Sequence, residues 1–236
     1  MDMKVLIWDI WGDYGHFRKY FTTSSPLTFS FPPRPTISGM IGALIGLPKE
    51  EYSEYFTKDQ AYIGVRILKP VKKTRLGINY INTKEAIDMS KIKTRSRVKV
   101  ELLKEPKYRI YLHHKDSGIY KKVKEFLSCG KNYYTLSLGL SELIANYSFI
   151  GEEDVKEIGQ DTEFTPVHSV LPLFEELEIK FEGDKEYLKD TVPNVQNAER
   201  NVVEYIKVIF EKNGHPIICK PQNYLETKAG ERFVFL

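Results

Sequence analysis

The chain has 236 residues, 42% of them apolar and 28% charged, with 35 Lys or Arg against 32 Asp or Glu. That is the composition of a soluble globular protein, long enough to bury a proper core in one large domain or two small ones. The longest strongly apolar run, Ile37 to Leu47, is roughly half of what spans a bilayer, and Lys4 to Trp11, interrupted by Asp9, lacks the layout of a signal peptide. The two cysteines, Cys129 and Cys219, are isolated and lack metal-ligand spacing, so a reduced, cytoplasmic protein without metal or cofactor is expected.

"KVLIWDI" (Lys4 to Ile10) reads as a strand, followed by a loop broken at Gly12 and Gly15. His16, Phe17, Arg18, Lys19 and Tyr20 follow that loop. Three prolines crowd around Arg34 in "FPPRP", which predicts an extended segment presenting that guanidinium outward. Thr36 or Ser38 can then cap a helix running to about Leu47, stopped by Pro48. Gly39, Gly42 and Gly46 fall on that helix, where each costs about 1 kcal/mol relative to Ala, so close approach of neighbouring backbone is the expected return.

"AYIGVRIL" (Ala61 to Leu68) and "YRIYLHH" (Tyr108 to His114) read as strands, and "GIYKKVKEFLSCG" as an amphipathic helix with Gly130 as its C-cap. Between the two strands lies a basic excursion: residues Arg66 to Lys115 hold 15 basic and 4 acidic side chains, a balance of +11, which leaves −8 for the rest of the chain. Such separation points to an anionic partner meeting one surface. Within it, "KIKTRSRVKV" puts Lys91, Lys93, Arg95, Arg97 and Lys99 at every second position. On a strand all five share one face, spaced about 6.6–6.8 Å apart, close to the repeat of an extended single-stranded phosphate backbone. A protruding basic β-hairpin is expected, with Lys72, Lys73 and Arg75 at its start, Tyr80 near its tip and Lys91 to Lys99 as a phosphate rail.

The order strand, helix, strand, basic excursion, strand, helix, strand is the split βαβ, ferredoxin-like pattern with an insertion between its second and third strands. An α+β fold is therefore expected, with a first domain over residues 1–150 and the inserted hairpin at about 69–105. From Gly151 to Asp190 the chain turns acidic, with 13 acids against 4 basic residues, and short strand-like runs recur. Residues 151–236 read as a smaller β-rich C-terminal domain.

"GHFRKYFTTSSPLTFSFPPRPTISGMIGALIGL", followed by "PKYRIYL" and "YYTLSLGLSELIA", resembles in order the landmarks of the CRISPR-associated Cas-five family of the RAMP superfamily, in its type I-B-like branch. Thr135, Leu136 and Ser137 stand where the last of those boxes usually has Thr-Pro-Tyr. The resemblance covers most of residues 4–150. It implies an RRM-related domain with a thumb-like hairpin, in a non-catalytic Cascade subunit that binds the 5′ handle of crRNA. The backbone subunit, whose filament it caps, and the large subunit would be its protein partners, with neither a membrane nor a small-molecule substrate involved. His16, Arg18, Lys19 and Arg34, with the hairpin cations and Tyr80, are the expected RNA contacts. In one branch of the family the member itself cleaves repeat RNA without metal, using a tyrosine, a lysine and a histidine. His113, His114 and Lys115 are the corresponding alternative here, as a titratable group near pH 7 is what general acid–base cleavage at a 2′-hydroxyl needs. Strand alternation sets the two histidines on opposite faces, so at most one serves a given site.

Overall fold

The computed structural model describes residues 2–22, 25–81, 95–159 and 163–236. Strand β1 (Asp2–Trp11) and the short β2 (Tyr14–Gly15) lead to helix α1 (Arg34–Ile45) and one turn of helix, α2 (Tyr52–Tyr55). Then come β3 (Ala61–Ile67), β4 (Lys73–Ile81), β5 (Arg95–Lys104), β6 (Lys107–His114) and helix α3 (Ser117–Ser128). The remainder is strand: β7 (Asn146–Ile158), β8 (Thr165–Val167), β9 (Leu171–Pro172), β10 (Glu178–Lys180), β11 (Tyr187–Gln196) and β12 (Val202–Glu211). Last are β13 (Ile217–Lys220), β14 (Tyr224–Glu226) and β15 (Arg232–Phe233). Among the described residues no helix is long and apolar enough to cross a membrane.

The principal sheet has the order β15-β14-β7-β1-β6-β3, with neighbours antiparallel throughout. Strand β1 lies inside it, and its apolar run is continuous because both of its faces are covered. Leu6, Trp8 and Ile10 point into the main core, where Ile37, Ile41 and Leu44 of α1 and Val123 and Leu127 of α3 join them. Val5 and Ile7 point the other way, towards Tyr111, Val155 and Phe233. There the Phe233 ring stacks on Tyr111 with centroids 4.0 Å apart, and the Glu231 carboxylate accepts hydrogen bonds from Arg66, Arg109 and Tyr111. Asp9 completes this network by accepting from Arg109 Nε at 2.8 Å.

Two sequence expectations change. The boundary at residue 150 falls inside β7, and β14 and β15 extend the principal sheet rather than a separate one. Val170, Val192, Val208 and Phe210 from the C-terminal region also enter the main core, with Phe210 edge-on to Phe31 at 5.4 Å. A shift in composition marks where surface charge changes sign, and strand pairing need not respect it. Helix α1 likewise begins earlier than expected, at Arg34, with Pro33 as its N-cap residue. Proline fits the first turn because its missing N–H has no intrahelical partner there. Ser38 does not cap the helix; its hydroxyl donates back to the Arg34 carbonyl at 3.0 Å.

The helix glycines meet aromatic rings rather than sheet backbone. A Cβ on Gly42 would lie 3.0 Å from Tyr52, and one on Gly46 would lie 2.5 Å from the Tyr133 ring. Gly46 is also the C-cap, in the left-handed conformation at φ 76°. The Tyr133 and Tyr134 N–H groups donate to the carbonyls of Leu44 and Ala43, so the segment that carries these rings also satisfies the end of the helix.

Histidines serve as structural ties. His114 is buried, its Nε2–H donating to the Tyr55 carbonyl at 2.8 Å while Nδ1 accepts from the Asp116 N–H at 3.0 Å. Burial lowers its pKa from the ordinary 6.5, and burial acts in the same direction on His16 and His168.

Gly46→Val should combine backbone strain with overlap on Tyr133 and lower stability by about 1–3 kcal/mol, read as a drop of several degrees in the thermal midpoint; an unchanged midpoint would contradict this packing. The histidines set a pH window. The unfolded chain takes up their protons first, so stability present in full above 6.5 is lost as pH falls towards the lowered folded pKa values. The urea midpoint should therefore fall between pH 7.5 and 5.5, above the range in which carboxylates titrate. His114→Gln should shrink that fall, and an equal fall in the variant would count against the assignment.

Candidate nucleic-acid interface

Strands β4 and β5 pair antiparallel over their whole described length, from Lys73 opposite Leu103 to Ile81 opposite Arg95. Strand β2 pairs on β5 through Tyr14 and Gly15, tying the hairpin base to the loop after β1. Residues directly opposite one another share a face, so Lys73, Arg75, Gly77, Asn79 and Ile81 lie with Arg95, Arg97, Lys99, Glu101 and Leu103. Arg95, Arg97 and Lys99 are all exposed, which places three of the five alternating cations on one solvated face. Lys91 and Lys93 lie outside the described residues.

The position opposite Lys99 is Gly77, where a Cβ would come within 2.6 Å of Arg97 Nε, so the guanidinium lies flat across the neighbouring strand. One step further along the alternation, Glu101 ends the cationic run. Its carboxylate stands 3.2 Å from Lys73 Nζ and 3.9 Å from an Arg75 nitrogen and also accepts from the Thr28 N–H. Lys73 is thereby committed to the hairpin base, whereas Arg75, with 70% of its side chain exposed, remains open to solvent. Lys72 is exposed beside them. The opposite face carries Leu76 and Tyr80, 41% and 44% exposed.

The four site residues expected upstream separate into two groups. Arg18 is exposed and donates to the Thr22 carbonyl at 2.9 Å, and Lys19 is partly buried against Asp190 at 2.6 Å. His16 and Arg34 are each 3% exposed. Arg34 is helical rather than extended, and its guanidinium donates to the carbonyls of Ala61 (2.7 Å), Thr57 (2.9 Å) and Asn194 (3.4 Å). It ties α1 to β3 and β11 and offers nothing to a phosphate. Burial lowers its pKa to about 10, which leaves it charged at neutral pH. The His16 Nδ1–H donates to the Glu101 carbonyl at 2.7 Å, which leaves Nε2 as the acceptor of a neutral ring.

A cavity of about 480 Å³ opens where these segments converge. Its walls come from His16, Phe17, Arg18 and Tyr20, the Thr36–Gly39–Met40–Ala43 face of α1, Tyr52, Thr135, Leu136, Ser137, Gly139 and Leu140, and the β11–β12 hairpin. Arg18 and Arg200 contribute charge, and among the described residues no Asp or Glu lines it. Arg200 adopts φ 65° in the tight turn after β11, which is pinned by the Asn197 side chain accepting from the Asn201 N–H at 2.8 Å. At the rim Tyr20 stacks obliquely on Tyr205 at 4.7 Å and meets Phe21 edge-on at 5.2 Å, and all three are exposed. Sequence reading misses Phe21, Gln196, Arg200 and Tyr205 as site residues, because segments more than 150 residues apart meet here and no local pattern announces it.

The alternative catalytic residues are placed less favourably. His113 and His114 lie on opposite faces of β6, as strand alternation requires. Both ring nitrogens of His114 are engaged, and His113 Nδ1 pairs with the Lys4 carbonyl at 2.8 Å. The Lys115 ammonium sits over the Tyr62 ring at 5.5 Å.

No curated protein matches this chain. Among solved structures, a CRISPR protein from Archaeoglobus fulgidus is similar at 17% identity and TM-score 0.58, over 99% of both chains. A chain of a CRISPR RNA-guided surveillance complex is similar at 11% and 0.52, over 90% of this chain and 91% of that one. A chain of a Type III-B Cmr-beta complex bound to cognate target RNA and AMPPnP is similar at 12% and 0.51, over 92% and 86%. At these identities the likeness is one of α+β fold. The sequence model of the CRISPR-associated Cas5 family matches residues 5–206, most of the chain, and this protein therefore belongs to that family.

Proposed function

We propose that this protein is a non-catalytic Cascade subunit of the type I-B-like branch, which binds the 5′ handle of crRNA and caps the backbone filament in antiviral defence. The carrying observation is the exposed face of Arg95, Arg97 and Lys99 on a hairpin that grows from the sheet. Membership of the Cas5 family and a fold shared with a chain of an RNA-guided surveillance complex support the same reading. The sheet order β7-β1-β6-β3, with helices between β1 and β3 and between β6 and β7, supports reading this part as a ferredoxin-like domain with β4–β5 as its thumb. The acidic C-terminal region adds strands to that sheet and apolar side chains to its core.

Phosphates would lie along the cationic face while bases project away from it, as single-stranded RNA is held elsewhere. Each phosphate neutralised releases counterions, so affinity falls with salt at about 0.7 log unit per contact per decade. Endonuclease action is disfavoured by His114, whose nitrogens are both occupied within the fold.

The test is binding of labelled single-stranded repeat RNA across a salt series in EDTA. The Arg95→Ala, Arg97→Ala, Lys99→Ala triple variant should bind weakly and reduce the salt slope by about 2. An unchanged slope would remove the hairpin from the interface. A discrete cut that survives EDTA and vanishes with His113→Ala would make the protein a metal-independent endoribonuclease instead.

A further inference from the structure

The cavity beside α1 is separate from the hairpin face, and nothing in the proposed phosphate rail uses it. Its volume of about 480 Å³ lies in the range of small-ligand sites. Its chemistry is mixed. Arg18 and Arg200 bring donors, and Gln196, Thr36 and Ser137 bring donors and acceptors together. A free phosphate has no use for an acceptor, whereas the edge of a nucleobase presents donors and acceptors together. Two arginines and no carboxylate among the lining residues suit a polyanion's base rather than a cationic side chain. The rim then supplies what a base leaving its stack requires, an exposed aromatic ledge of Tyr20, Phe21 and Tyr205.

We propose that this cavity takes one extruded nucleobase of a bound single-stranded RNA, with Tyr20 and Tyr205 as the stacking surface and Gln196 and Arg200 reading its edge. This rests on the RNA-binding reading above and adds to it a base-specific pocket. Arg34 acts here as a positioning residue. Its bond to the Asn194 carbonyl fixes β11 between Pro193 and Gln196, two residues that line the pocket.

The experiment uses the full chain and a pool of 12-nucleotide single-stranded RNAs randomised at every position, sequenced after retention at low salt. Wild-type protein should enrich one base at one position on the order of tenfold, the discrimination expected when side chains hydrogen-bond the edge of a base. The surface pair Tyr205→Ala and Gln196→Ala should erase that preference while retaining RNA. The triple hairpin variant should lose retention of all sequences alike and keep whatever preference remains. Retention without any base preference would overturn the pocket and leave the hairpin reading standing. A preference untouched by Tyr205→Ala and Gln196→Ala would overturn it too, by placing the reader elsewhere. Failure to retain any RNA would overturn the RNA-binding reading itself. If Ala43→Leu, which fills the cavity, left the base preference intact but blocked joining of a protein subunit, the occupant would be a protein side chain and the proposal would fail. Unchanged near-ultraviolet circular dichroism establishes that each variant is folded.

Discussion

A guanidinium held by carbonyl oxygens alone fixes how the two halves of this molecule meet. Arg34 is almost fully buried, and its hydrogen-bonding partners are the backbones of Thr57, Ala61 and Asn194. Withdrawing a charge from water is expensive, and carbonyl oxygens offset that at both terminal nitrogens while Nε is left without a partner among the described residues. The planar fork of arginine, weakly hydrated and able to bond in several directions at once, suits the task where lysine does not. Through these bonds α1, the entry to β3 and β11 are held in one arrangement. The cavity, the aromatic ledge and the approach of the β11–β12 hairpin all rest on it.

Much of this fold is legible in sequence, for identifiable reasons. Strand β1 announces itself because both its faces are buried, which makes "VLIWDIW" nearly continuous in apolar character. The hairpin announces itself through charge of period two, a pattern that survives whatever the hairpin packs against. Helix α3 combines amphipathic spacing with Asp116, whose side chain accepts from the N–H groups of Gly118 and Ile119. What is not legible follows from tertiary position. "FPPRP" reads as an exposed extended arginine because prolines favour such segments, yet the same prolines also fit the first turn of a helix. Only the surrounding carbonyls decide between the two.

The glycines of α1 show the same limit. Their spacing reveals that something approaches the helix closely, but not what. Tyr52 and Tyr133 are the neighbours, and both are exposed or half-exposed aromatics with no sequence mark that assigns them to this helix. The candidate site is harder still. Its cationic rail can be read from one segment, whereas the cavity is built from five, and Arg200 and Tyr205 fall in a region whose overall charge is acidic.

The pairing of β1 has a further consequence, for the order of events in folding. Leu6 lies between Leu112 and Glu152, so the inner strand of the sheet pairs only with segments far along the chain. Loop closure over such distances must precede the contacts that offset it, which makes domains of this contact order slow to fold. The β4–β5 hairpin is instead assembled from near neighbours in sequence. The β4–β5 pair can form early as a local unit, while β1 waits, apolar on both faces, for partners made much later.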